Sequence, residues 1–261
     1  MNVVNEDNLP EQVERQAPQT VRTGTMLQRG SSSTAIARME QSSELSLRER
    51  QALRLIVPDD VSGGMSDAFR ELRTRLLALA AGTNNFVTMV APIGPGYGGS
   101  FVARNLAAAF AFDEAKTALL VDCDFRHPSQ HKVFGVEPTK GGLFDCIEHP
   151  GANLGQFIYQ TGIPRLRLVP TGRPQEMNGE YYSSINMQMV IHQMRKRYAD
   201  RYLVLDGPAI KGSPDARILS DLADFIVVVA AYGRDTAAKI NQAVATFDPS
   251  KLAGVVFNQL P

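Results

Sequence analysis

A chain of 261 residues with 44 % hydrophobic content and 21 glycines can bury one full α/β core and still leave residues for an extension. Lysine plus arginine and aspartate plus glutamate balance at 27 each, which excludes a strong bulk field for nucleic acid or anionic lipid; no nucleic-acid partner is expected. No apolar run approaches the roughly 20 residues that span a bilayer, and the opening MNVVNEDNLPEQ lacks the basic and apolar regions of a signal peptide, so a cytoplasmic protein is expected. The two cysteines, Cys123 and Cys146, are too few for a disulfide framework and read as reduced thiols.

Residues 1 to about 45 are rich in Gln, Glu, Asn, Ser and Thr and include the low-complexity patch GSSSTAIA (30–37), a composition that predicts disorder. The amphipathic run LSLRERQALRLIV (45–57) carries Leu45, Leu47, Leu53, Leu55 and Ile56 among arginines, and is either a linker helix docked on the domain or a partner-binding peptide. Pro58 and the two aspartates after it should end it. The expected division is an extension over 1–60 and one domain over 61–261. From 65 to about 81, Phe69, Leu72, Leu76 and Leu79 recur at helical spacing with Ser66 as the expected cap, and Asp67, Arg70 and Arg73 share one face.

The stretch from Phe86 to Asp124 has the form of a phosphate-binding βαβ unit: strand FVTMVA (86–91), glycine-rich turn PIGPGYGGS (92–100), helix FVARNLAAAFAF (101–112), strand TALLVDCD (117–124). A loop of the G-x-x-x-x-G-K-[ST] kind uses glycines to turn N–H groups inward, a lysine to reach the β/γ-phosphates and a hydroxyl to hold Mg²⁺. Here Gly98 and Ser100 fill their positions, whereas Gly99 stands at the lysine position and Ile93 at the first glycine position.

Beyond it the sequence predicts a short helix at 141–147, a strand at 166–172 and a helix at 184–199, with Ile185, Met189, His192 and Met194 as core or flank positions. Strand 202–208, helix 213–223, strand 224–232, helix 235–247 and strand 252–261 follow. Strands alternating with helices give a doubly wound α/β domain with a mainly parallel sheet of the P-loop NTPase type, whose ligands sit beyond the carboxyl ends of the strands. Asp122, Asp124 and Asp206 end their strands there, where Ser100, Asp122 and Asp206 are placed to hold Mg²⁺; the alternative is that the acids cap helices and turns. Arg104 reads as a solvent or interface residue, and His127 and His131 as surface residues.

Over about 65–261 these residues resemble the bacterial tyrosine kinases of exopolysaccharide and capsule synthesis, relatives of the MinD and ParA type of P-loop ATPases. DAFRELRTRL (67–76) is similar to that family's E-x-x-R-x-x-R oligomerisation helix, with Asp67 for Glu and with Arg70 and Arg73 kept. PGYGGS (95–100) resembles its Walker A loop, LLVDCDFRHPSQHKVFGV (119–136) its second acidic motif, and LVLDGP (203–208) its Walker B. PDARILSDLAD (214–224) and GVVFNQ (254–259) resemble later landmarks.

The resemblance implies an ATP or ADP site with Mg²⁺, formed by Pro95, Gly96, Gly98, Gly99, Ser100 and Asp206, with Asp122 and Asp124 as catalytic acids. It also implies self-association through Asp67, Arg70 and Arg73, and placement at the inner membrane through a polysaccharide co-polymerase. Two departures bear on chemistry. Gly99 removes a charge-assisted contact worth about 1.5–3 kcal/mol, a 10- to 100-fold loss in nucleotide affinity. The family's tyrosine-rich tail has no counterpart after the last strand, the last tyrosine being Tyr232. The expectation is a pseudokinase-like regulatory protein whose Asp122 and Asp124 are vestigial. The rivals are an active kinase completed by a partner's basic residue and a ParA-like positioning ATPase.

Overall fold

The computed structural model describes residues 44–58, 64–172, 180–212 and 214–258. The disorder expected before residue 44, the aspartate pair at 59–60, the Ser213 helix start and the last residues of strand 252–261 lie outside them. One sheet contains β1 (Val87–Pro92), β2 (Thr117–Asp122), β3 (Tyr159–Gln160), β4 (Leu166–Val169), β5 (Arg201–Asp206), β6 (Phe225–Ala231) and β7 (Leu252–Asn258). Their spatial order is β3-β4-β2-β5-β1-β6-β7, and only the β3–β4 pair is antiparallel. Every residue of β1, β2, β4 and β5 is buried, as parallel strands covered on both faces require.

The helices are α1 (Leu47–Ala52), α2 (Gly64–Leu79), α3 (Gly99–Ala111), α4 (Gln130–Val133), α5 (Leu143–Glu148), α6 (Glu180–Ser183), α7 (Ile185–Lys196), α8 (Asp215–Ser220) and α9 (Ala237–Val244). Strand alternation sorts them into two layers. Met89, Val121, Leu205 and Val228 face the side covered by α5, α7, α8 and α9. Val90, Leu120, Val204 and Val227 face the side covered by α2, α3 and the segment before α2. The alanines of α3 let it lie close on the sheet, and Asn105 is its one fully buried polar side chain.

Asn105 ties the N-terminal segment down. Ser46 and Glu49 close a capping box on α1, Arg54 turns the chain at φ +53°, and Leu55 and Ile56 pack with α3, each 2 % exposed. The Asn105 side chain accepts the Ile56 N–H (2.8 Å) and donates to the Arg54 carbonyl (3.1 Å). The run at 45–57 is thus a short helix that buries none of its own residues, followed by a strap whose Leu55 and Ile56 pack on the domain.

Other expectations shift. Gly64 opens α2, so Ser66 does not cap it; the Ser66 hydroxyl instead donates to the Val57 carbonyl (3.2 Å). On α7 only Met194 of the four named residues is buried, beside Met187, Val190 and Ile191; Ile185, Met189 and His192 are exposed. Both cysteines are buried free thiols.

Asn105→Ala strands a buried N–H and a carbonyl, a cost of about 1–3 kcal/mol for each unsatisfied group. A lower denaturant midpoint and faster tryptic cleavage after Arg54 are expected; an unchanged midpoint would show that the strap is held by apolar contact alone.

Candidate functional site

Six residues, 93–98, connect β1 to α3. The loop closes on a Tyr97 N–H to Gly94 carbonyl bond (3.3 Å), with Gly96 and Gly98 at φ +75° and +84°, a left-handed backbone that glycine adopts without strain. Gly98 caps α3 with no side chain, so the first N–H groups of that helix point into the loop, an arrangement suited to anions. The loop is clamped from two sides. Asn258, at the end of β7, donates to the Tyr97 carbonyl (3.0 Å), and the Tyr97 hydroxyl donates to Asp235 (3.2 Å) before α9. Behind it, the segment after β5 runs alongside β1, the Lys211 N–H donating to the Ile93 carbonyl (3.0 Å). Pro95 and Gly96 form the exposed tip, while Gly99 is buried.

The parallel register sets Asp122 directly beside Asp206, and both are fully buried. Oδ2 of Asp122 accepts the N–H groups of Ser129 (3.1 Å) and Gln130 (3.0 Å), and Oδ1 that of Asp124 (3.3 Å). Burial nevertheless pushes the Asp122 carboxyl up to about 6. Asp206 is pushed well above the usual carboxylate range by burial and by the charge of Asp122. The Gln130 side-chain amide donates to Oδ2 of Asp206 (2.7 Å) and to the Ser100 carbonyl (2.9 Å), bridging β5 to α3. The Ser100 hydroxyl also eases the Asp206 charge, yet Oδ1 of Asp206, Oε1 of Gln130 and Oγ of Ser129 have no partner of good geometry.

Asp124 does different work. Its Oδ1 accepts the N–H groups of Arg126 (3.2 Å) and His127 (3.1 Å), shaping the turn after β2. That turn is fixed by a stack in which Phe125 lies on Phe144 and Tyr182 at 4.4 and 4.5 Å, with the Tyr182 hydroxyl donating to the Cys123 carbonyl (2.7 Å). Arg126 pairs with Asp215 at the start of α8 (3.0 Å), joining the second acidic motif to PDARIL. His127 is exposed, and no group of three His, Cys, Asp or Glu forms a metal cluster among the described residues.

Ser100, Asp122 and Asp206 therefore meet at one place, with Asp124 one turn away supporting the backbone. Asp67, Arg70 and Arg73 lie on α2, outside it. Asp67 and Arg70 form an exposed pair (2.7 Å), while Arg73 donates to the Ala109 carbonyl (2.8 Å) at the end of α3. Arg104 is not a free surface residue: it is half-buried against the Phe101 ring (5.1 Å), within the field of Asp206. Gln130, which binds both Asp206 and Ser100, carries no motif signal beyond following the acidic strand end by eight residues.

No protein-family profile matches the chain. It is 32 % identical over 227 residues to a protein named as a tyrosine-protein kinase, EpsB of Ralstonia solanacearum, covering 85 % of this chain and 29 % of EpsB. It is 28 % identical over 213 residues to the tyrosine-protein kinase YwqD of Bacillus subtilis, covering 80 % of this chain and 86 % of YwqD. To the succinoglycan biosynthesis transport protein ExoP of Rhizobium meliloti it is 27 % identical over 220 residues, covering 80 % of this chain and 27 % of ExoP. The chain thus spans less than a third of the length of EpsB and ExoP. The solved kinase domain of the Escherichia coli tyrosine kinase ETK matches with a TM-score of 0.66 at 22 % identity, over 74 % of this chain and 75 % of that one. A ParA family ATPase of Chlorobium tepidum matches at 0.53 and 19 %, over 67 % and 74 %, and these two likenesses concern the fold alone. With a glycine-rich loop at the tip of β1, paired acids on β2 and β5, and kinase relatives aligned over four-fifths of its length, this chain belongs to the bacterial tyrosine-kinase family.

Proposed function

We propose that this chain is a regulatory, pseudokinase-like member of its family, acting in exopolysaccharide or capsule synthesis with weak or absent nucleotide turnover. The observation that carries this reading is Gly99, which leaves the buried start of α3 without the cation that phosphoryl transfer needs against developing charge. Loop N–H groups and those of the helix N-terminus would still donate to the phosphates of ATP or ADP. Ser100, Asp206 and Asp122 offer hard oxygens of the kind Mg²⁺ takes, and the unpartnered Oδ1 of Asp206 is the atom most in need of a cation. Held by these residues, Mg²⁺ would supply positive charge against the two carboxylates. In this reading Asp122 and Asp124 serve mainly to hold the turn after β2.

Docking on an inner-membrane polysaccharide co-polymerase from its cytoplasmic side belongs to the same proposal, supported by the transport role in ExoP's name. No helix among the described residues is long and apolar enough to cross a membrane. Self-association would use the exposed Asp67–Arg70 pair, with Arg73 fixing α2 on α3 behind it. The retained Ser100, Asp122 and Asp206 favour a second reading, an active kinase that receives its cation from a partner.

Incubated with ATP and Mg²⁺, the purified chain should show no tyrosine phosphorylation above that of Asp122→Ala. Phosphorylation of itself or a peptide that Asp122→Ala abolishes would reverse the proposal, and turnover appearing only on addition of a partner would establish the second reading. Mg²⁺ without nucleotide should raise the melting temperature by roughly 3–6 °C at ten times its dissociation constant. Asp206→Asn, which keeps an acceptor for Gln130, should lose that shift; equal shifts in both proteins would remove Asp206 from the metal site.

A further inference from the structure

We infer that Pro92 keeps the phosphate loop of this chain free of lysine: its ring occupies the space that any side chain at position 99 must enter. A Cβ built on Gly99 stands 2.6 Å from Cδ, 2.7 Å from Cγ and 3.1 Å from Cβ of Pro92. Real Cβ atoms essentially never approach a heavy atom below 3.0 Å, so either the ring or the helix start must shift.

Neither is free to do so. Pro92 is the last residue of β1, in the interior of the sheet. Its carbonyl accepts the Ile210 N–H (2.9 Å), and the next residue donates to the Val229 carbonyl (2.9 Å). The ring cannot rotate away, because proline fixes its own φ. On the other side, the start of α3 is held by Gln130 through the Ser100 carbonyl (2.9 Å), and the loop before it by Asn258 through the Tyr97 carbonyl (3.0 Å). A Cβ on Gly98 would in turn run into the Asn258 amide, so each of the two glycines before Ser100 is boxed in by a different neighbour.

The cost falls on shape rather than on backbone conformation, since Gly99 is helical and carries no positive φ. Gly96 and Gly98 are required by their dihedral angles, whereas Gly99 is required by its neighbour. The loss of the lysine is therefore a property of two positions. Gly99→Lys alone brings in a side chain with nowhere to place its first carbon, and a basic residue returns only together with a smaller residue at 92. As it stands, the loop holds a phosphate ligand through main-chain N–H groups, with any fixed cation coming from a bound metal. This last step rests on the nucleotide-site reading proposed above; the steric coupling does not.

A double-mutant cycle tests it. Gly99→Ala adds only the Cβ, and inside a helix such a change ordinarily raises the melting temperature. With Pro92 in place it should instead lower it by about 5 °C or more, and with Pro92→Gly that loss should disappear or change sign. Pro92→Ala, which removes the two nearest ring carbons, replaces Pro92→Gly if the glycine variant does not fold. Calorimetry with ADP and Mg²⁺ then compares Gly99→Lys with Pro92→Gly/Gly99→Lys, where a gain of about 10-fold or more is expected only in the double variant. Additive melting shifts, or a Gly99→Lys protein as stable as wild type, would overturn the inference. Tyrosine phosphorylation by the wild-type chain would overturn the functional reading while leaving the melting-temperature coupling in place.

Discussion

Two carboxylates that face each other across adjacent parallel strands, both out of contact with water, set the terms for the upper edge of this fold. Asp122 and Asp206 are register partners; burial raises the affinity of both for a proton, and the charge of Asp122 raises that of Asp206 further. An arrangement of that kind survives only if polar groups converge on it, since a buried charge with no partner costs several kcal/mol. The chain meets that demand with neutral donors: the N–H groups of Asp124, Ser129 and Gln130 on Asp122, and the Gln130 amide on Asp206. The short helix α4 starts at that point, with the N–H groups of its first residue, Gln130, and of the preceding Ser129 bonded to Asp122. Its Gln130 then reaches across to Ser100 and fixes how α3 meets the loop.

Most of the framework was legible because it follows from apolar runs. Strands β1, β2, β5 and β6 have interiors dominated by Val, Leu, Ile, Met and Ala and are almost wholly buried, and a run of that kind between helices has one plausible place in a parallel sheet. Two-residue β3 lacks any such signal, being an edge pair made possible by the turn between it and β4. On α7 the phase was misread because methionines and isoleucines lie on more than one face; which of them is buried depends on where the sheet and α5 sit, and that is tertiary information.

The site divides in the same way. Ser100, Asp122 and Asp206 were legible because strand ends and a glycine-rich turn place them by topology alone. Gln130 was not, since its role depends on the path of residues 123–129, fixed by the stack of Phe125 on Phe144 and Tyr182 and by the hydroxyl of Tyr182 on the Cys123 carbonyl. Nor was Pro92. In the sequence it is simply the residue after a strand, and only the approach of α3 to the end of β1 reveals that its ring and the missing side chain of Gly99 compete for one space.

These features together change what a ligand would have to bring. Where a phosphate loop carries a lysine, a fixed cation lies between the phosphates and the acidic strand ends and attracts both. Here the fixed cation on α3 is Arg104, its proton affinity lowered by burial and supported by Asp206, and it is packed on Phe101 one turn away from Ser100. A phosphate entering this loop would meet the N–H groups at the start of α3 close to two buried acids. In the proposed reading Ser100, Asp122 and Asp206 would hold a divalent ion whose positive charge would offset the negative charge of the acids. Under the proposed nucleotide-site reading, nucleotide and metal affinities in this loop would be coupled more tightly than in one that holds its own lysine, because the same buried acids that make the edge of the sheet costly would be relieved best by a metal-bound ligand.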